Sequence, residues 1–198
     1  MMVEGQLRPR GIDDERVLAA MGEVPRERFL PEHLQDAAYA DGALPIGESQ
    51  TMSQPWIVAF MSQVLELTGD EKVLEVGTGS GYGAAVLSRL CAHVVTIERH
   101  QPLAVAAREV LSELGYRNVE VMVGDGTLGA PARSPFDGIS VTATAKGEPP
   151  PALVEQLAGH AALVIPIRRG RSEHLVRVRD GQAEVLVPVR FVPLVGDE

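Results

Sequence analysis

The pattern of apolar and polar residues changes near Gly69. Before it, apolar residues recur at helical spacing. After it, short apolar runs alternate with alanine-rich stretches. Asp13 to Met21, DDERVLAAM, opens with acids and sets Val17, Leu18 and Met21 on one face. This predicts a short amphipathic helix capped by Asp13. Pro25 stops it, and Pro31 to Ala38 reads as one or two further helical turns. ALPIGESQTMSQPW, Ala43 to Trp56, is polar, and its only ionisable group is Glu48; it reads as a loop that covers something. PWIVAFMSQVLELT is apolar over much of its surface, as a buried helix would be, with Pro55 in the first turn.

Beyond Gly69, strands are expected at Lys72 to Gly77, His93 to Glu98, Val119 to Gly124, Phe136 to Ala143 and Ala161 to Ile167. Helices are expected at GYGAAVLSRL, at Pro102 to Leu114 and at Pro151 to Leu157. Such alternation predicts a parallel sheet with right-handed crossovers, covered on both faces. EHLVRVRDGQAEVLVPV alternates apolar and polar residues on both sides of Asp180-Gly181, which predicts an antiparallel hairpin. The expected fold class is α/β: a mostly parallel sheet, an antiparallel C-terminal hairpin and an N-terminal helical extension. Residues 1–68 would supply the helices and lid loop, and 69–198 the core, of one domain.

Composition narrows the partners. The net charge of −9 argues against nucleic acid or an anionic membrane. Cys91 is the only cysteine, so neither an internal disulfide nor a cysteine zinc cluster is expected. The N-terminal MMVEGQLRPRG lacks the apolar core of a secretory signal. No apolar run approaches the roughly 18 residues of a membrane span. A soluble cytoplasmic protein without bound metal, acting as a monomer, is the expectation.

The chemistry gathers at VLEVGTGSGYGAA, Val73 to Ala85. Gly77, Gly79 and Gly81 alternate directly after a strand and before a helix, where a ligand can approach the backbone. Without a ligand, the same glycines would make a tight strand–helix connection. Gly79, Gly81 and Ala84 satisfy the G-x-G-x-x-A spacing of a dinucleotide site, whereas a P-loop would need a following Gly-Lys-Ser/Thr. Charge separates the remaining ligands. No Lys or Arg lies between Val73 and Ser88. Glu75 lies inside the strand before the loop, Glu98 ends the second strand, and Asp125 follows the third. Each acid alone would read as a solvated strand end. Three at one rim would repel a pyrophosphate. They would attract S-adenosylmethionine, whose sulfonium and ammonium are cationic and whose ribose hydroxyls and adenine amino group can donate to Glu98 and Asp125.

LPIGESQTMSQP, VLEVGTGSGYGAAVL, VGDG, VPRERFLPE and the terminal VRFVPLV together closely resemble protein-L-isoaspartate O-methyltransferases. The glycine loop is general to methyltransferases; the PIGxxQTxSQP block is much more specific. The resemblance implies a Rossmann-like class I methyltransferase fold, S-adenosyl-L-methionine as cofactor, and isoaspartyl-containing proteins or peptides as partners. It implies that Gly77, Thr78, Gly79, Ser80 and Gly81 line the methionine and ribose, with Glu75 facing the amino group. Glu98 would hold the ribose, and Asp125 and Gly126 would meet adenine. Thr51, Met52, Ser53 and Gln54 would cover the cofactor, and Ser53 matches the family's active-site serine. Ser53 could equally cap the helix that begins at Pro55. The implied reaction methylates the isoaspartyl carboxylate and starts repair through a succinimide.

Several positions depart from the family pattern: Thr127 and Gly129-Ala130 after GDG, Thr144 and Lys146 in VTATAK, and LAGHAALV before the fifth strand. Gly138 and Ser140 make the fourth strand less apolar than expected. These leave the glycine loop and the acids intact and bear on the acceptor, with Lys146 a candidate to steer a carboxylate. They motivate two alternatives: a carboxyl methyltransferase for a specific peptide such as a natural-product precursor, or a catalytically silent cofactor-binding homologue. His33, His93, His100, His160 and His174 show no ligand spacing. Tyr82 is expected to pack behind the loop and Cys91 in the core.

Overall fold

The computed structural model describes residues 2–196. The chain opens with a π-helical turn, Val3–Leu7, and a 3-10 turn, Arg8–Arg10, which bury Leu7. Helix α1 spans Glu15–Glu23 and turns Val17, Leu18, Ala20 and Met21 inward. Its cap is Asp14 rather than Asp13: the Asp14 carboxylate accepts the N–H groups of Arg16 at 2.8 Å and Val17 at 3.3 Å. Short 3-10 segments at Arg26–Phe29 and Glu32–Ala37 follow.

The stretch expected as a loop is a small hairpin. Strands β1 (Leu44–Gly47) and β2 (Gln50–Met52) pair antiparallel across a two-residue turn. Glu48 (φ 47°) and Ser49 (φ 55°) both adopt left-handed backbone there, as such a turn requires. Helix α2, Pro55–Val64, begins at the expected proline. Gln54 is its N-cap, and no side chain caps it, so Ser53 does not serve that purpose.

The core then runs β3 (Lys72–Val76), α3 (Tyr82–Leu87), β4 (His93–Glu98), α4 (Gln101–Glu113), β5 (Val119–Val123), β6 (Phe136–Val141), β7 (Ala145–Lys146), α5 (Pro151–Val154), β8 (Leu157–Arg169), β9 (Ser172–Arg179) and β10 (Gln182–Pro188). The sheet order is β10-β9-β8-β6-β3-β4-β5, with β7 beside β8. Strands β3 to β8 pair in parallel, and β9 and β10 are antiparallel. Asp180 and Gly181 form the expected hairpin turn, both with positive φ. Strand β8 is longer than expected. Its start pairs Leu157 with Phe136, and its end follows β9 to Arg169, so α5 stops short of Leu157.

Alternate residues of each strand enter opposite cores. Val73, Val94 and Val164 join the N-terminal helices; Leu74, Val95, Ile139 and Leu163 face the other side. Gly138 does not break β6. Leu65 and Leu67 fill the space a side chain would take, with Leu65 Cδ2 at 3.4 Å from an added Cβ. Among the described residues, no helix is long and apolar enough to cross a membrane.

After β10 the chain returns over the carboxyl ends of the strands as a strap. Thr144 N–H donates to the Val192 carbonyl at 2.8 Å, and Leu194 N–H to the Thr144 carbonyl at 2.8 Å. The Thr144 hydroxyl bonds Glu173, which also accepts Phe191 N–H at 2.9 Å. Burial opposes ionisation of Glu173, but these donors and Arg168 outweigh it and hold its carboxyl below the ordinary range.

Candidate functional site

A cleft of about 460 Å³ opens at the carboxyl ends of β3 and β4, below the β1–β2 hairpin and the terminal strap. The loop after β3 forms its floor. Gly77 has φ 95° and donates its N–H to the Ile97 carbonyl at 2.8 Å. A Cβ there would stand 2.2 Å from Thr142 Oγ1, so neither the conformation nor the space admits a side chain. Gly79 N–H donates to Glu98 Oε2 at 2.9 Å, and His100 N–H to Glu98 Oε1 at 3.0 Å. Glu98 thus ties the glycine loop to the end of β4, and each oxygen keeps a lone pair for a ligand.

Glu75 lies deeper, on the face of β3 covered by α3. Thr78 bonds Thr96 at 2.7 Å, and the Thr96 hydroxyl donates to Glu75 Oε2 at 2.7 Å. Gly83 makes room for this carboxyl; a Cβ there would lie 2.3 Å from Glu75 Oε1. Burial is the main cause that pushes the Glu75 pKa up to about 8, against the Thr96 bond, with the Glu98 charge adding to the rise. At neutral pH the carboxyl therefore holds a proton.

The lid is pinned from below by a buried cation. Arg26 is fully buried, and it donates to the Ala38 and Ser53 carbonyls, each at 2.7 Å. Its guanidinium lies 4.6 Å from the centre of the Tyr82 ring. Burial raises the Tyr82 hydroxyl to about 12 despite that neighbour, so it stays protonated. While the Ser53 backbone is held, its hydroxyl makes no hydrogen bond among the described residues.

Ten of the residues singled out in the sequence line this one cleft: Thr51, Met52, Ser53, Glu75, Gly77, Thr78, Gly79, Ser80, Glu98 and Gly126. Three lie outside the lining. Gln54 turns away to donate to Asp41 Oδ1 at 2.6 Å. Gly81, the left-handed N-cap of α3, packs against Ala107 and Leu111 of α4. Asp125 folds onto Thr127, accepting its N–H at 2.8 Å and its hydroxyl at 2.7 Å. Lys146 is exposed on β7 and lines neither cavity near Ser53. Cys91 is buried, as expected. Sequence reasoning missed Gly83, Arg99, His100 and Thr142, together with Val192 to Val195 of the strap. Arg99 and His100 directly follow Glu98, a signal that was available.

A second cavity, about 800 Å³, adjoins the first and shares Thr51, Ser53, Thr142 and Val192 with it. The junction is thus walled by three uncharged hydroxyl side chains.

The strand order, the glycine loop after β3 and the acid closing β4 define a Rossmann-like class I methyltransferase that uses S-adenosylmethionine. The lining fits that cofactor: two carboxyls and glycine backbone open to close approach, beside Arg99 and His100. The protein-L-isoaspartate(D-aspartate) O-methyltransferase family model matches residues 2–198, and the chain belongs to that family. It is 51% identical to protein-L-isoaspartate O-methyltransferase 2 of Pelobacter propionicus, covering 100% of this chain and 90% of that one. It is 52% identical to the protein-L-isoaspartate O-methyltransferase of Protochlamydia amoebophila, covering 100% and 96%. Among solved structures, it superposes on a putative enzyme of this kind from Plasmodium falciparum, crystallised with S-adenosyl-L-homocysteine. That match has a TM-score of 0.85 at 25% identity and covers 99% of this chain and 97% of that one.

Proposed function

We propose that the protein methylates the free carboxylate of L-isoaspartyl residues in damaged proteins or peptides, starting their return to aspartate through a succinimide. The observation that carries this is the unbonded Ser53 hydroxyl at the junction of an acid-lined cleft and a separate groove. Bound in the cleft, S-adenosylmethionine supplies an activated methyl group. Glu98 would accept from its ribose hydroxyls, the Gly77–Ser80 backbone would line it, and Glu75 would face its amino group. Gly126 and the strap would enclose its adenine side. Met52 closes the lid over the cleft.

The acceptor carboxylate ionises near about pH 4, so it reaches the site as an anion and no general base is needed. The chain's task is alignment and exclusion of water, which can lower a barrier by about 7–11 kcal/mol. Ser53 and Thr51 donate to the carboxylate without competing for the methyl group. Arg26 keeps the Ser53 backbone in place, so the hydroxyl is aimed before the acceptor arrives. The chain acts as one domain and a monomer in the cytoplasm, where a lone buried thiol stays reduced, and its partners include neither nucleic acid nor membrane.

The test is transfer of labelled methyl from S-adenosylmethionine to an isoaspartyl peptide and to its aspartyl twin. Transfer to the isoaspartyl peptide alone is expected. Transfer to neither peptide would defeat the reading.

A further inference from the structure

The two cavities that meet at Ser53 differ in their charged side chains. The cleft contains Glu75 and Glu98 together with Arg99 and His100. The adjoining groove is lined by Arg10 and Arg190 and, among the described residues, by no acid. In a chain with 27 acids against 18 lysines and arginines, that groove runs against the overall balance. Arg10 is already engaged: it pairs with Asp41 at 3.0 Å, and its guanidinium lies 4.4 Å from the Trp56 ring centre. Arg190 differs. It is exposed, and its side chain has no hydrogen-bond or ion-pair partner among the described residues. The backbone beside it is nevertheless fixed, because Val189 N–H donates to the Glu173 carbonyl at 3.0 Å and Phe191 N–H to its carboxylate at 2.9 Å. An anchored strap thus holds an unneutralised cation at the wall of the acceptor groove.

Resting on the repair reading above, we propose that Arg190 determines specificity: it selects isoaspartyl segments that carry Asp or Glu within a few residues of the damaged position. Arg10, neutralised by Asp41, contributes shape and the Trp56 platform rather than net charge. Because Arg190 lines the groove but not the cofactor cleft, its attraction acts equally on the bound substrate and the transition state. It therefore lowers KM and leaves kcat little changed. The contact is exposed, so its effect is roughly twofold to fivefold and shrinks as salt rises.

The experiment uses the full chain with isoaspartyl peptides identical except for Glu, Gln or Lys beside the isoaspartyl residue. The expected result is a lower KM for the Glu peptide than for the Lys peptide, by roughly twofold to fivefold, with similar kcat. Arg190→Gln should bring that ratio close to one. Arg133→Gln, which removes the same charge beside Glu120 of β5, should keep it. Equal KM values in the unmodified enzyme, or a preference that survives Arg190→Gln, would overturn the assignment. Transfer to none of the peptides, Gln included, would overturn the repair activity and this assignment with it.

Discussion

Glu75→Gln should make the ligand-free protein more stable in mild alkali. Glu75 ionises near 4.5 in the unfolded chain and near about 8 in the fold, where burial and the Glu98 charge disfavour the anion. Below the lower value both states carry the proton, and stability is unaffected by this group. Between the two values the folded chain keeps a proton that the unfolded chain has lost, so stability falls as pH rises. Above about 8 both are ionised and the loss is complete. At about 1.4 kcal/mol per pH unit, the full loss is on the order of 5 kcal/mol. Glu66 and Glu120 act in the opposite sense. Arginine bonds lower their pKa values, and the stability they supply is present above the ordinary carboxylate range and lost in acid. Working between about pH 5.5 and about pH 8.5 therefore isolates Glu75. The amide of Gln can still accept from Thr96, and it cannot ionise. Urea unfolding across that range should show the unmodified protein losing about 3 kcal/mol relative to Glu75→Gln, with the difference smallest at the acid end. Parallel curves would refute the reasoning, because they would place an already ionised Glu75 in the fold.

Ser53→Ala should lower kcat by roughly 10- to 100-fold, the worth of one hydrogen bond to a charged group, while calorimetric cofactor affinity changes little. Equal losses in both would reassign Ser53 to cofactor binding. Gly83→Ala should lower stability by about 1–3 kcal/mol and weaken cofactor binding, because the new methyl meets Glu75 Oε1. Unchanged melting would mean that Glu75 is free to swing aside. Asp14→Ala should cost about 1 kcal/mol through loss of the α1 cap, with methyl transfer unchanged at moderate temperature. A drop in turnover there would tie α1 to the lid.

The parallel core was legible because β3, β4, β5 and β6 are short apolar runs, the first three separated by helical stretches, a pattern that survives without tertiary knowledge. The β9–β10 hairpin announced itself through Asp180-Gly181. The β1–β2 hairpin did not. Its turn uses Glu48 and Ser49 in a conformation normally marked by Asn or Gly, and its strands lack apolar alternation. Strand β8 outran its apolar run because pairing with β6 and β9, rather than its own residues, sets its ends. In the site, the glycine loop, Glu75 and Glu98 lie within one contiguous motif and its neighbouring strand. Thr142 and the strap come from distant positions and are delivered only by sheet order. Asp125 shows the converse: its place at a strand end was readable, but its turn onto Thr127 was not.

Strand β10 is the outermost on its side of the sheet, where an open row of backbone groups invites another chain to add on. Here the register shifts between Val185 and Pro188, the proline offers no N–H, and Glu184 is paired to Arg177 at 2.7 Å. Ageing polypeptides that have lost their shape expose sticky segments that seek such borders. An enzyme working among them keeps its own border uninviting.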